Sequence, residues 1–232
     1  MATQEVLNNH FLDLSINMCM ELVFIHGANG SAQCWNYIES NLPHFKKSFI
    51  EYDSEKKFET NLKKMISNMS TKRNTFIIGH SMGGIYAYYL KHELPKSVSG
   101  AVTIATPYGG SAISTSLNTL FPMFCTLWSD SGVHSDVIKK MTELPVPNNW
   151  HQIVCTTNRT MIPLEPNDGL ITKKSQTKIP GINYIEVDDT HYEVLQSKKV
   201  VKHIQNILNQ KGKHYDRSTA TNKHRSNHQK VL

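Results

Sequence analysis

The stretch Asn74-Thr75-Phe76-Ile77-Ile78-Gly79-His80-Ser81-Met82-Gly83-Gly84 decides the fold of this chain. Its first five residues form a short, largely apolar and β-branched run, which predicts a buried strand over 74–78. Gly84-Ile85-Tyr86-Ala87-Tyr88-Tyr89-Leu90 follows and predicts a helix that stops at Leu94-Pro95. Between them lies Gly79-His80-Ser81-Met82-Gly83. A serine held on a sharp strand-to-helix turn crowds the residues two places on either side, so those positions tolerate little or no side chain. Strand, Gly-x-Ser-x-Gly and helix in succession make this turn a nucleophile elbow.

Outward from the elbow, strand and helix patterns alternate. Upstream, Glu21-Leu22-Val23-Phe24-Ile25 is a continuous apolar run ending in His26-Gly27-Ala28-Asn29-Gly30, as expected of a strand covered on both faces. Trp35, Ile38 and Leu42 follow at helical spacing, and Ser48-Phe49-Ile50-Glu51-Tyr52 predicts a second strand. Phe58, Leu62, Met65, Ile66 and Met69 mark one face of an amphipathic helix. Downstream, strands are predicted at 100–104, 151–155 and 182–187, with Val200, Val201, Ile204, Ile207 and Leu208 lining a last helix. Leu12, Leu14 and Ile16 alternate as in an edge strand. The expected class is α/β, a mostly parallel sheet of about six strands flanked by helices.

The chain of 232 residues suits one domain, expected over 1–210. Its net charge of +6 is unevenly placed: Lys211, Lys213, Arg217, Lys223, Arg225 and Lys230 against the single acid Asp216 put +5 of it after residue 210. Apolar residues are scarce in 211–232, so this basic tail is expected to be disordered, with weak contact to an anionic surface as its candidate role. It lacks the aromatic-basic interleaving of a nucleic-acid binder, and no nucleic-acid partner is expected. No stretch approaches the roughly 18–20 apolar residues that span a bilayer, and no signal-peptide pattern opens the chain, so a cytoplasmic location is expected. The four cysteines, Cys19, Cys34, Cys125 and Cys155, have no Cys-x-x-Cys pairing and read as buried thiols. Metal-ligand spacings are missing, as are both glycine-rich phosphate-loop patterns, and no cofactor is expected.

Five elements in order carry a resemblance. His26-Gly27-x-x-Gly30, Gly79-His80-Ser81-Met82-Gly83-Gly84, Ala105-Thr106-Pro107-x-Gly109-Gly110-Ser111, Asn167-Asp168-Gly169 and Thr190-His191 together resemble the lipase/esterase branch of the α/β-hydrolase superfamily, over roughly residues 20–209. The resemblance implies an α/β-hydrolase-type sheet and a serine hydrolase acting on carboxylic esters of a small molecule or lipid. A serine hydroxyl needs a base to take its proton and a carboxylate to orient that base. In the family these follow the serine as acid, then histidine. His191, in the loop between the last strand and the last helix, matches the family's base. Asp168, in the loop after the strand at 151–155, matches its acid. Asp188 and Asp189 compete but would have to fold back sharply to meet the ring of His191, and Asn-Asp-Gly is also an ordinary turn signal.

The resemblance further implies an oxyanion hole from the backbone N–H groups of Met82 and Ala28. His26 reads as a residue holding the turn. Residues 111–150 are a candidate cap or lid, with Leu117, Leu120, Phe121, Phe124, Leu127 and Trp128 at helical spacing; the competing reading is a helix packed on the sheet. Thioesterase, amidase or acyltransferase chemistry on the same triad stays open, as does a non-catalytic binding protein on this fold. Oligomeric state is not legible.

Overall fold

A computed structural model of the chain describes residues 20–111, 135–157 and 165–210. The expected edge strand at 10–16, the apolar helical stretch at 117–128, Cys19, Cys125 and the basic tail lie outside these residues.

Six parallel strands form one sheet: β1 (Glu21–Ile25), β2 (Lys46–Ile50), β3 (Thr75–His80), β4 (Val98–Ile104), β5 (Trp150–Thr156) and β6 (Asn183–Asp188). Their spatial order is β2-β1-β3-β4-β5-β6, so the chain changes direction of travel between β1 and β3. Ligands in such sheets bind outside the carboxyl ends of the strands at this switch point. The helices are α1 (Asn36–Ser40), preceded by a 3-10 turn (Ala32–Trp35), then α2 (Phe58–Met69), α3 (Met82–Glu93), α4 (Asp136–Glu143), α5 (Lys173–Gln176) and α6 (198–210).

The central strands are apolar throughout because both faces are covered. Val23, Ile25 and Ile77 point into a core shared with α2, α3 and α4. Leu22, Phe24, Phe76 and Ile78 point the other way, into a core with Trp35, Ile38 and the apolar face of α6. The period-2 alternation of strands thus feeds two layers, one per face.

Three strands differ from the sequence expectation by two residues at a boundary, β4 by starting at Val98 rather than 100. The third strand runs past Ile78 to His80, because glycine and histidine are still paired to Thr103 and Ile104 of β4. The second strand lies at 46–50 rather than 48–52: Lys46 pairs in register with Glu21, and its ammonium sits 3.3 Å from that carboxylate.

Of the candidate cap at 111–150, residue 111 and residues 135–150 are described. α4 belongs to the body: Val137, Ile138 and Met141 are buried, Tyr89 donates to the Val137 carbonyl at 2.7 Å, and Tyr88 donates to Pro145 at 3.1 Å. Ser135 caps this helix by accepting from the Ile138 amide. Residues 112–134, the remainder of the candidate, lie outside the described residues.

Candidate active site

Ser81 terminates β3 and caps α3 with φ 52° and ψ −121°, a strained conformation for a residue with a side chain. Its amide still bonds Ile104 of β4 at 2.8 Å, so the turn is anchored in the sheet. The surrounding glycines are required by contact. A Cβ on Gly79 would lie 2.8 Å from the Gly83 carbonyl oxygen, and one on Gly83 would lie 2.1 Å from the Ile25 carbonyl oxygen. The first turn of α3 is therefore pressed onto the end of β1, which brings the elbow beside the loop that follows β1.

That loop, Gly27-Ala28-Asn29-Gly30, is a tight turn closed by Gly30 N–H to Gly27 O at 3.1 Å, with Asn29 at φ 55°. The sequence reading gave its support to His26 alone, and the structure agrees in part. The ring of His26 donates through Nδ1 to Gly27 O at 2.7 Å. Two residues after β2 share the task. Tyr52 stacks on His26 at 4.3 Å and donates its hydroxyl to the His26 carbonyl, and Ser54 accepts from the Asn29 amide at 2.8 Å. Only spatial adjacency of β1 and β2 identifies Tyr52 and Ser54; no motif marks them.

Asp168 and His191 meet. The His191 Nδ1 donates to Asp168 Oδ2 at 2.7 Å, both side chains being buried. The His191 amide donates to the Asp168 carbonyl at 2.8 Å. The other carboxylate oxygen of Asp168 accepts from the amides of Leu170 and Ile171 at 2.9 and 2.7 Å. Asn167 forms a turn by accepting from the Gly169 amide, so the Asn-Asp-Gly turn and the acid are one structure rather than competing readings. Asp189 makes no bond to the ring of His191 in this arrangement, and its buried Oδ2 has no hydrogen-bond partner among the described residues.

Gln176, at the end of α5, was not singled out by the sequence. Fully buried, it accepts from the Cys155 amide and donates to the Cys155 carbonyl, both at 2.8 Å, and to Asp168 Oδ2 at 3.3 Å. It thereby fastens the acid loop to the end of β5. A buried amide surrounded by backbone and one carboxylate leaves no sequence signature.

Ser81, Met82, Ala28 and His191 line one cavity of about 230 Å³ at the carboxyl ends of the strands. Met82 opens α3, where amides lack intrahelical acceptors and face the positive end of the helix dipole. Four of the five residues singled out by sequence thus line one cavity, and the fifth, Asp168, is bonded to one of them, His191; the five come from the loops after β1, β3, β5 and β6. Leu170, Ile171, Pro107 and Leu195 supply apolar walls, and the exposed Tyr192 stands at the rim with its ring 5.2 Å from that of His191.

Cys34 also lines this cavity, and is half-buried rather than buried as expected. Burial, with Glu51 adding, pushes its thiol up to about 11, so it is a protonated, poor nucleophile at neutral pH. Cys155 is buried as expected. Among the described residues, no group of three His, Cys, Asp or Glu side chains is placed to hold a metal ion, and no helix is long and apolar enough to cross a membrane.

Residues 58–163 match the sequence model of the PGAP1-like alpha/beta domain. Comparison with curated protein sequences gave no match. Among solved structures, the chain resembles the mature lipase BlEst2 of Bacillus licheniformis, with 15% identity and a TM-score of 0.62 over 81% of this chain and 91% of that one. It is similar to the metagenome-derived lipolytic enzymes LipS and LipT at 9% identity and a TM-score of 0.61, covering 84% and 95%. An extracellular alpha/beta-hydrolase from a Paenibacillus species shares 14% identity and a TM-score of 0.56 over 82% and 97%. The chain has the α/β-hydrolase fold.

Proposed function

We propose that this protein is a serine hydrolase that cleaves carboxylic esters through an acyl-enzyme on Ser81. The observation that carries the reading is the buried 2.7 Å pair of His191 and Asp168, whose His191 lines the same cavity as a serine at positive φ. A base oriented by a buried carboxylate, beside a serine on a strained turn, is the arrangement that activates a hydroxyl.

In this reading Ser81 Oγ attacks the ester carbonyl while the free Nε2 of His191 takes its proton. Asp168 holds the ring in the tautomer with Nδ1 protonated and stabilises the imidazolium that forms. The carbonyl oxygen, now an oxyanion, accepts from the amides of Ala28 and Met82. His191 then protonates the leaving alcohol, and water attacks the acyl-enzyme with the same histidine as base. No cofactor enters these steps. The apolar walls formed by Leu170, Ile171 and Leu195 favour an apolar acyl group, from a small-molecule or lipid ester.

Hydrolysis of nitrophenyl esters of increasing acyl length, by the protein and by Ser81→Ala, tests the proposal. Turnover lost by about 10⁴-fold or more in the variant is expected. Thioester, amide and acyl-transfer substrates in the same assay rank the leaving groups that the triad alone does not distinguish. A protein inert toward all of them, whose binding partners survive Ser81→Ala, would instead be a non-catalytic member of this fold.

A further inference from the structure

His80, the second residue of Gly-x-Ser-x-Gly, has no role in the steps above, yet it lines the cavity and contacts the loop that carries His191. Its ring is fully buried between the two loops that carry the chemistry. Nε2 lies 2.9 Å from the backbone carbonyl oxygen of His191, a contact across 111 residues of sequence. A carbonyl only accepts, so Nε2 carries the proton and donates. The ring centroids of His80 and His191 are 4.8 Å apart, and Trp35 meets His80 edge-on at 6.5 Å. Nδ1 faces the oxyanion loop so closely that a Cβ on Gly27 would stand 3.0 Å from it and 3.1 Å from Ser81 Cβ.

The other ties on His191 all come from one residue. Asp168 receives both its Nδ1–H and its main-chain N–H. These bonds fix base to acid, and Gln176 fastens the acid to β5, but among the described residues none of them reaches the elbow. The bond from His80 is the one that runs from the base to the elbow itself, since His80 and Ser81 are adjacent on the same strand end. We propose that His80 is a positioning residue whose Nε2–H ties the His191 backbone to the elbow and so sets the reach of His191 to Ser81. This rests on the proposed serine chemistry.

An apolar residue would fill the space without desolvating an imidazole, so the histidine is a costly choice unless its donor is used. Its charge state suits the task. Burial, then the neighbouring His191 and His26, push His80 down to about 3, with the bond to the His191 carbonyl opposing. The ring is therefore neutral across the working range, with one donor fixed on Nε2.

The test compares two amides that differ in reach. In His80→Gln the amide nitrogen falls near the place of Nε2; in His80→Asn it falls near Nδ1 and cannot reach the His191 carbonyl. Two readouts are used on the full chain: the rate constant for phosphonylation by a small fluorophosphonate, and amide hydrogen exchange of the peptide containing His191. Expected are a 10- to 100-fold slower labelling in His80→Asn, labelling within about 3-fold of the unmodified protein in His80→Gln, and faster exchange around His191 in His80→Asn alone. His80→Leu, equally without a donor, replaces His80→Asn should the latter not fold. Equal labelling rates in the donor-less variant and the unmodified protein, or a His80→Gln as slow as that variant, overturn the proposal. Should the unmodified protein not label at all, the serine chemistry falls, and the exchange data decide the tether by themselves: unchanged exchange around His191 overturns it, and faster exchange in the donor-less variant supports it.

Discussion

His191 is bound to Asp168 twice, by Nδ1–H to the carboxylate at 2.7 Å and by its own amide to the Asp168 carbonyl at 2.8 Å. The backbone bond joins the loops after β5 and β6, so the acid and base are aligned before any substrate arrives. Asp168→Asn keeps the shape but donates toward Nδ1, forcing the wrong tautomer. We expect kcat to fall by about 10³- to 10⁴-fold with little change in folding, measured by steady-state kinetics alongside thermal unfolding. Asp189→Asn, which alters the rival carboxylate, is expected to change kcat by less than about 5-fold.

Gln176 donates to the same carboxylate oxygen that His191 uses. Replacing it with Glu puts a second carboxylate against Asp168, and like charges at this distance hold one proton longer. The acidic limb of the kcat/KM profile is expected to move upward by about one pH unit or more. Gln176→Leu, which removes the donor without adding charge, should shift the limb less while costing stability through the unpaired Cys155 backbone groups.

The neutral state of His80 makes stability depend on pH. With His80 held at about 3 in the native state by burial, His191 and His26, and near 6.5 when unfolded, both states are neutral above pH 6.5. Below that the unfolded chain binds a proton that the native state refuses, so stability falls as pH drops from about 6.5 toward 3. Urea unfolding at pH 7.5 and 5 is expected to show a loss in the unmodified protein that is smaller in His80→Gln, which cannot titrate.

Contacts at the elbow predict a graded cost for alanine. At Gly83 the added methyl meets main chain, the Ile25 carbonyl at 2.1 Å, which cannot step aside; Gly83→Ala should cost at least about 3 kcal/mol. At Gly84 it meets the side chain of Thr106, whose buried hydroxyl has no hydrogen-bond partner among the described residues. Thr106→Ala should therefore recover about 1 kcal/mol of the Gly84→Ala loss, a favourable coupling readable from a double-mutant cycle in denaturant.

What could be read beforehand divides along physical lines. Strands buried on both faces announce themselves as apolar runs, and β1 begins and ends where its run does. Likewise α2 spans the stripe from Phe58 to Met69. The edge strand β2 lies two residues earlier than expected, since Lys46 and Lys47 pair with Glu21 and Leu22 through main-chain register, which hydrophobicity does not reveal. In the candidate site, the positions of Ser81, Asp168 and His191 were legible because the proposed chemistry demands a residue type at a turn. Tyr52, Gln176 and the tether from His80 were not, since each acts through a main-chain group of another loop, and main-chain groups carry no sequence.

The nucleophilic serine is the claim on which the account turns, and intact-mass analysis after incubation with a fluorophosphonate tests it directly. One stoichiometric adduct, mapped to Ser81 and lost in Ser81→Ala and His191→Ala, is the predicted result. A folded protein that takes up no label at Ser81, or labels equally well without His191, would contradict it.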